Sequence, residues 1–127
     1  MSIAHLDGNR FHIFRGGEQA PMLDCSTHLV ASDALAALLA RFCPNQLEIS
    51  PARLEQVATG ETCRGYSVLR PISELTPDNI GTAPSDGYRV WRAWDRYLFV
   101  SPALAEVLRE AFPSLLEFSD GFSQFAA

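Results

Sequence analysis

The chain reads as an α+β domain in which two related strand–helix–strand units form one mainly antiparallel sheet, with two helices packed on it. Three observations predict this class. First, residues 29–50 (LVASDALAALLARFCPNQLEIS) lie over residues 98–119 (LFVSPALAEVLREAFPSLLEFS) without a gap at a constant offset of 69, and ten of the 22 positions are identical. Such self-similarity marks a duplicated supersecondary unit. Second, each copy holds one apolar stripe of helical period flanked by short apolar runs of strand length. Third, the linking segments carry the Gly, Pro, Asn and Asp of tight turns and not a long second helix.

The elements follow in order. Arg10–Arg15 (RFHIFR) reads as a strand before the Gly16-Gly17 break, a weak counterpart of Tyr88–Ala93 further on. In the first copy Leu29–Ala31 is extended and Ser32 is a good helix N-cap. Asp33 then sits in the first turn, where the helix dipole favours a carboxylate. Leu35, Leu38, Leu39 and Phe42 recur at helical spacing until Pro44, and Leu47–Ile49 is the closing strand. Pro51–Arg70 has no match in the other copy. It reads either as two extended runs about a turn at Thr59-Gly60-Glu61, or with a short helix from Ser50-Pro51 through Val57. Thr76–Gly87 (TPDNIGTAPSDG) is a loop joining the halves. Tyr88–Ala93 is rich in β-formers, and Trp94-Asp95-Arg96 turns it back into Tyr97–Val100 as a hairpin. Ser101 caps the second helix, Pro102 takes the position where a missing N–H costs nothing, and Leu104, Val107, Leu108 and Ala111 form its stripe up to Pro113. Leu115–Phe118 completes the second unit.

Size and composition bound the function. A chain of 127 residues with ordinary hydrophobic content is one domain able to bury one real core. The net charge of −5 argues against a phosphate-backbone binder, which needs clustered cations. Every basic residue apart from histidine is Arg. Cys25, Cys43 and Cys63 are odd in number and lack a C-x-x-C pair, so they suggest neither a disulfide framework nor a zinc site. The first residues carry charges throughout and lack a signal peptide's apolar core. No apolar run approaches the length of a membrane span, and a cytoplasmic protein with reduced thiols is the expectation.

Motifs of catalysis are missing from the sequence. A P-loop requires a Lys, and a nucleophile elbow requires G-x-S-x-G; neither occurs. His5, His12 and His28 form no ligand spacing, and no metal or cofactor is expected. Cys25, His28 and Glu48 remain the residues from which an enzyme site would be assembled if one existed. Glu48 and Glu117 occupy one repeat position, which the symmetry of the fold explains. Binding features are better developed. Trp91 and Trp94 cannot both face the core of a regular strand, which leaves one of them partly exposed beside Arg92 and Arg96. Exposed aromatics with Arg neighbours are the composition of interface hot spots.

A short strand ending in V-S or A-S, a helix of the form A-L-A-x-x-L, a strand such as LEIS or LEFS, and the upstream Y-R-V-W-R strand resemble a family of bacterial immunity proteins. It is the eleventh catalogued immunity family of polymorphic toxin systems, formerly a domain of unknown function. The resemblance covers about residues 20 to 120. It implies a protein that binds a cognate secreted toxin domain and blocks it sterically, with no catalytic residues. The acidic charge and the lack of a long apolar run add the expectation of no nucleic-acid or membrane partner. The surface assigned to that toxin on this reading comprises Asp78 and Asp86 in the long loop, Trp94, Asp95 and Arg96 at the hairpin tip, and Asp120 and Phe122 in the tail. A small-ligand-binding or regulatory module, with a pocket between the two repeat units, is the alternative.

Overall fold

A computed structural model describes residues 2–15, 21–23, 25, 27–56, 59–84, 86–93 and 97–113. The predicted break at Gly16-Gly17, the turn at 94–96 and the strand at 115–118 lie outside these residues. The strands are β1 (Ser2–Asp7), β2 (Arg10–Arg15), β3 (Met22–Leu23), β4 (Leu29–Ser32), β5 (Leu47–Pro51), β6 (Arg53–Gln56), β7 (Glu61–Cys63), β8 (Tyr66–Pro71), β9 (Val90–Ala93) and β10 (Tyr97–Val100). The helices are α1 (Asp33–Phe42) and α2 (Pro102–Ala111). The α+β class, the two helices and the mainly antiparallel pairing are therefore as the sequence predicts. Among its described residues, Pro51 to Arg70 contains strands and no helix, so the extended reading holds there.

The single sheet needs correction. Among the described residues the strands fall into three hydrogen-bonded groups, ordered β1-β2-β6-β7, β3-β4-β8-β5 and β10-β9. One physical reason lies in residues 47–71, a long hairpin that changes sheets midway. Its first half pairs Leu47 with Pro71 through Pro51 with Ser67, and its second half pairs Leu54 with Cys63 through Gln56 with Glu61. The register slips by one residue between these halves, so Arg64 and Gly65 together oppose Arg53. This is a β-bulge, which bends a strand. Gly65 lies at φ 97, a conformation that glycine adopts without a Cβ clash.

Side-chain alternation then produces three layers. On β4, Leu29 and Ala31 face the helices while Val30 faces the other way; on β8, Leu69 faces the helices and Tyr66 and Val68 the other way. Strands β4 and β8 at the middle of this sheet are thus buried on both faces and read as largely apolar runs, while β5 is its exposed edge. One core joins α1 and α2 through Leu35, Leu39, Leu104 and Leu108 together with Leu69 and Val90. The second core fills the space against β1, β2 and β6 with Ile3, Phe11 and Leu54.

The duplication is visible atom by atom. Each helix buries the same three repeat positions, Leu35, Ala36 and Leu39 in α1 and Leu104, Ala105 and Leu108 in α2. Both end alike, with Cys43 N donating to Leu39 O (2.8 Å) and Phe112 N donating to Leu108 O (2.9 Å). The partner strand of the first unit differs from the sequence expectation, however. Met22 and Leu23 pair with Ala31 and Val30 as Val90 and Trp91 pair with Val100 and Phe99. Ser32 N likewise donates to Pro21 O as Ser101 N donates to Arg89 O. The counterpart of β9 is therefore β3. Arg10–Arg15 is a strand, but it pairs with β1 and β6 in the other sheet.

Candidate functional site

Two surfaces stand out, and the joint between the repeat units explains the first. Gln46 follows α1 at the head of β5. Its Nε2 donates to Tyr88 O (2.8 Å), its Oε1 accepts from Val90 N (3.2 Å), and its backbone O accepts from Ile72 N (2.9 Å). One residue, through its side chain and its backbone carbonyl, thus ties β5 to the end of β8 and the start of β9. Around it lie large apolar groups in water: Ile72 is 60% exposed and Tyr88 41%. The Tyr88 ring meets Phe42 edge-on with centroids 5.0 Å apart, and the Arg41 guanidinium lies 5.6 Å from the Phe42 centroid. Edge-to-face rings and an Arg over a ring are favourable arrangements.

The loop leading into Tyr88 carries the two described residues of the predicted surface. Asp78 is exposed in the turn at 77–82, where Asn79 ties the loop down by accepting from Thr76 N and donating to Glu74 O (2.8 Å each). Asp86 is exposed and pairs with Arg89, two residues from the edge of the aromatic patch. Trp94, Asp95, Arg96, Asp120 and Phe122 lie outside the described residues. Trp91 is buried, which accords with a core position for that member of the tryptophan pair. Sequence reasoning missed Phe42, Gln46, Ile72 and Tyr88. Phe42 looked like one more residue of the helical stripe, and nothing in the sequence tells Ile72 from a core isoleucine.

Ser101 also departs from expectation. It occupies the N-cap position of α2 but makes no side-chain cap bond. Its buried hydroxyl instead donates to Gly87 O (2.6 Å) and accepts from Arg89 N (3.0 Å), fixing the segment that carries Tyr88. Its repeat partner Ser32 does cap, accepting from Leu35 N (3.2 Å).

The second surface is a groove of about 620 Å³ on the face of the 47–71 hairpin opposite the inter-sheet core. Ile49, Pro51, Arg53, Thr62, Arg64 and Ser67 line it, together with Asp33 at the start of α1. Two bonds hold Asp33 there: its N–H donates to Gly65 O (2.8 Å), and its Oδ1 accepts from Ser67 Oγ (2.8 Å). Beyond Arg53 the outer face carries a charge ladder. Glu55 accepts from Arg10 and pairs with Arg53 Nε, each at 2.9 Å, and Arg10 also bonds Asp7. The hydrogen bond from Arg10, with the two nearby positive charges, holds the Glu55 carboxyl below the usual range against a partial desolvation. The same bond raises the Arg10 guanidinium further. His12, next to Glu55 across the β2–β6 pair, keeps its buried Nδ1 without a hydrogen-bond partner among the described residues.

The residues considered for an enzyme do not assemble. Among the described residues Cys25 reaches Thr27 Oγ1 (3.7 Å), and that hydroxyl meets His28 Nδ1 (2.8 Å). Glu48 is opposite Arg70 on the far edge of the middle sheet. His28 stacks on His5 with centroids 4.2 Å apart. Cys43 is fully buried, and burial pushes its thiol up. Among the described residues no three His, Cys, Asp or Glu side chains gather as a metal site, and no helix is long and apolar enough to cross a membrane. The chain matches no protein-family model, no curated protein and no solved structure.

Proposed function

We propose that this domain works by binding another protein, as an immunity protein that covers a cognate toxin domain in the cytoplasm. The observation that carries the reading is the patch of Phe42, Ile72 and Tyr88, rigidly backed by Gln46 and Ser101 and bordered by Arg41 and Asp86. Aromatic and Arg anchors ringed by polar groups are what interface hot spots are made of. Pre-organised anchors also lose little side-chain freedom on association. The net charge of −5 favours a basic partner, because complementary fields mainly raise the rate of encounter. The toxin-neutralising role rests on the resemblance drawn from the sequence; the patch supports partner binding.

An interface of standard size, roughly 1,200–2,000 Å² in total, would extend from this patch over the 77–86 loop. The test is co-expression with any toxin domain encoded beside its gene. The wild-type protein protects the cell, and a folded Ile72→Asp, Tyr88→Ala variant does not. Equal protection by that variant moves the interface elsewhere; no protection by the wild-type protein rejects the immunity reading.

A further inference from the structure

We propose that the groove on the 47–71 hairpin is a binding site for a small zwitterion with an apolar body, an apolar amino acid or a dipeptide. Its carboxylate would lie on Arg64 and its ammonium on Asp33. A volume of about 620 Å³ lies within the range of small-molecule sites, roughly 300–1,000 Å³, which pair apolar walls with a few placed polar groups. Here Ile49 and Pro51 supply the apolar wall, and Ile49 stays 38% exposed.

The charges define the ligand. Three ionic side chains line the groove, and Arg53 is already engaged by Glu55. The Arg64 guanidinium has no hydrogen-bond or ion-pair partner among the described residues, and Asp33 uses only one carboxylate oxygen, on Ser67. Opposite charges thus line one groove without pairing with each other. Neither can swing freely at its root: Gly65 O accepts from Asp33 N, which fixes the bulge carrying Arg64 against the start of α1. Two unpaired charges of opposite sign, each anchored at its backbone, match a ligand that carries both signs. A dianion such as a phosphate ester would meet repulsion from Asp33. A neutral apolar ligand would leave both charges unanswered.

The proposal stands apart from the protein-binding reading, since none of these side chains belongs to the Tyr88 patch. It is tested by ¹H–¹⁵N NMR titration of the full chain with the dipeptide Leu-Leu, its N-acetyl form and its C-terminal amide. Leu-Leu should shift amides around 49–53 and 62–67 saturably, and acetylation or amidation should each weaken binding. Arg64→Ala and Asp33→Asn should each weaken Leu-Leu binding by about tenfold or more, as expected for loss of one charge-assisted contact. Arg64 is exposed, so Arg64→Ala should retain the wild-type melting temperature. In Asp33→Asn the amide oxygen can still accept from Ser67, and this variant should stay folded and lose only the modest helix-dipole contribution of the carboxylate. The absence of saturable shifts with Leu-Leu overturns the site. Equal binding of the three peptides, or binding that survives both substitutions, overturns the charge assignment and the proposal with it.

Discussion

Gln46 carries more of this structure than its residue type advertises. Its amide satisfies Tyr88 O and Val90 N across the joint of the two halves. Removing one member of such a set leaves backbone groups short of partners, which typically costs about 1–3 kcal/mol each where they are buried. Gln46→Ala should therefore lower the urea midpoint and loosen the Tyr88 segment; an unchanged midpoint would show that water replaces the clasp. The two equivalent serines give a sharper comparison. Ser32→Ala should cost about 1 kcal/mol, as loss of an N-cap does. Ser101→Ala strands Gly87 O and Arg89 N around a buried site and should cost more, about 2–3 kcal/mol. Paired urea titrations decide the order. From sequence both serines read as caps, because the residue type and its place before a helix are all that a sequence shows. The hydroxyl's choice of partner is set by the distant Gly87–Arg89 segment.

At the scale of elements, what was legible followed local periodicity, and what was not followed long-range pairing. Both helices start and stop at the predicted Ser and Pro signals. The β3 partner of β4 was missed because two residues are too few to show a strand pattern, and Arg10–Arg15 offered a stronger β signal nearby. The bulge at Arg64–Gly65 was hidden for a related reason, since a one-residue slip shows only when both strands are aligned. The loop carrying Asp78 and Asp86 was legible as a loop from its turn residues. The patch beside it was not, because exposure of Ile72 and Tyr88 depends on what the fold leaves uncovered.

The charge ladder on β2 and β6 makes an element-level prediction. The Glu55 carboxyl is lowered in the folded protein, so the folded state binds fewer protons than the unfolded one in the acid range. Its contribution is present above the ordinary carboxylate range and lost as pH falls through the lowered folded value. Glu55→Gln should thus flatten the acid limb of stability against pH, and an unaltered limb would show the ladder to be energetically silent.

On the scale of the whole molecule, the duplication builds a platform whose two helices share one core. Leu39 and Leu108 are the same position in the two units, and both are buried there. Leu39→Ala and Leu108→Ala should each destabilise by about 2–5 kcal/mol and lower one common thermal transition. Two separate transitions would mean that the halves fold independently. On this platform the loops, the helix end and the hairpin bend present the groups of the two proposed binding surfaces.

The most direct test of the proposed immunity role is the dissociation constant for any toxin domain encoded beside the gene, measured by calorimetry for the wild-type protein and for the folded Ile72→Asp, Tyr88→Ala variant. A tight one-to-one complex that the variant weakens by about a hundredfold, the loss of two hot-spot anchors, is the predicted result. Equal affinity for both proteins, or no complex with the wild-type protein, would contradict it.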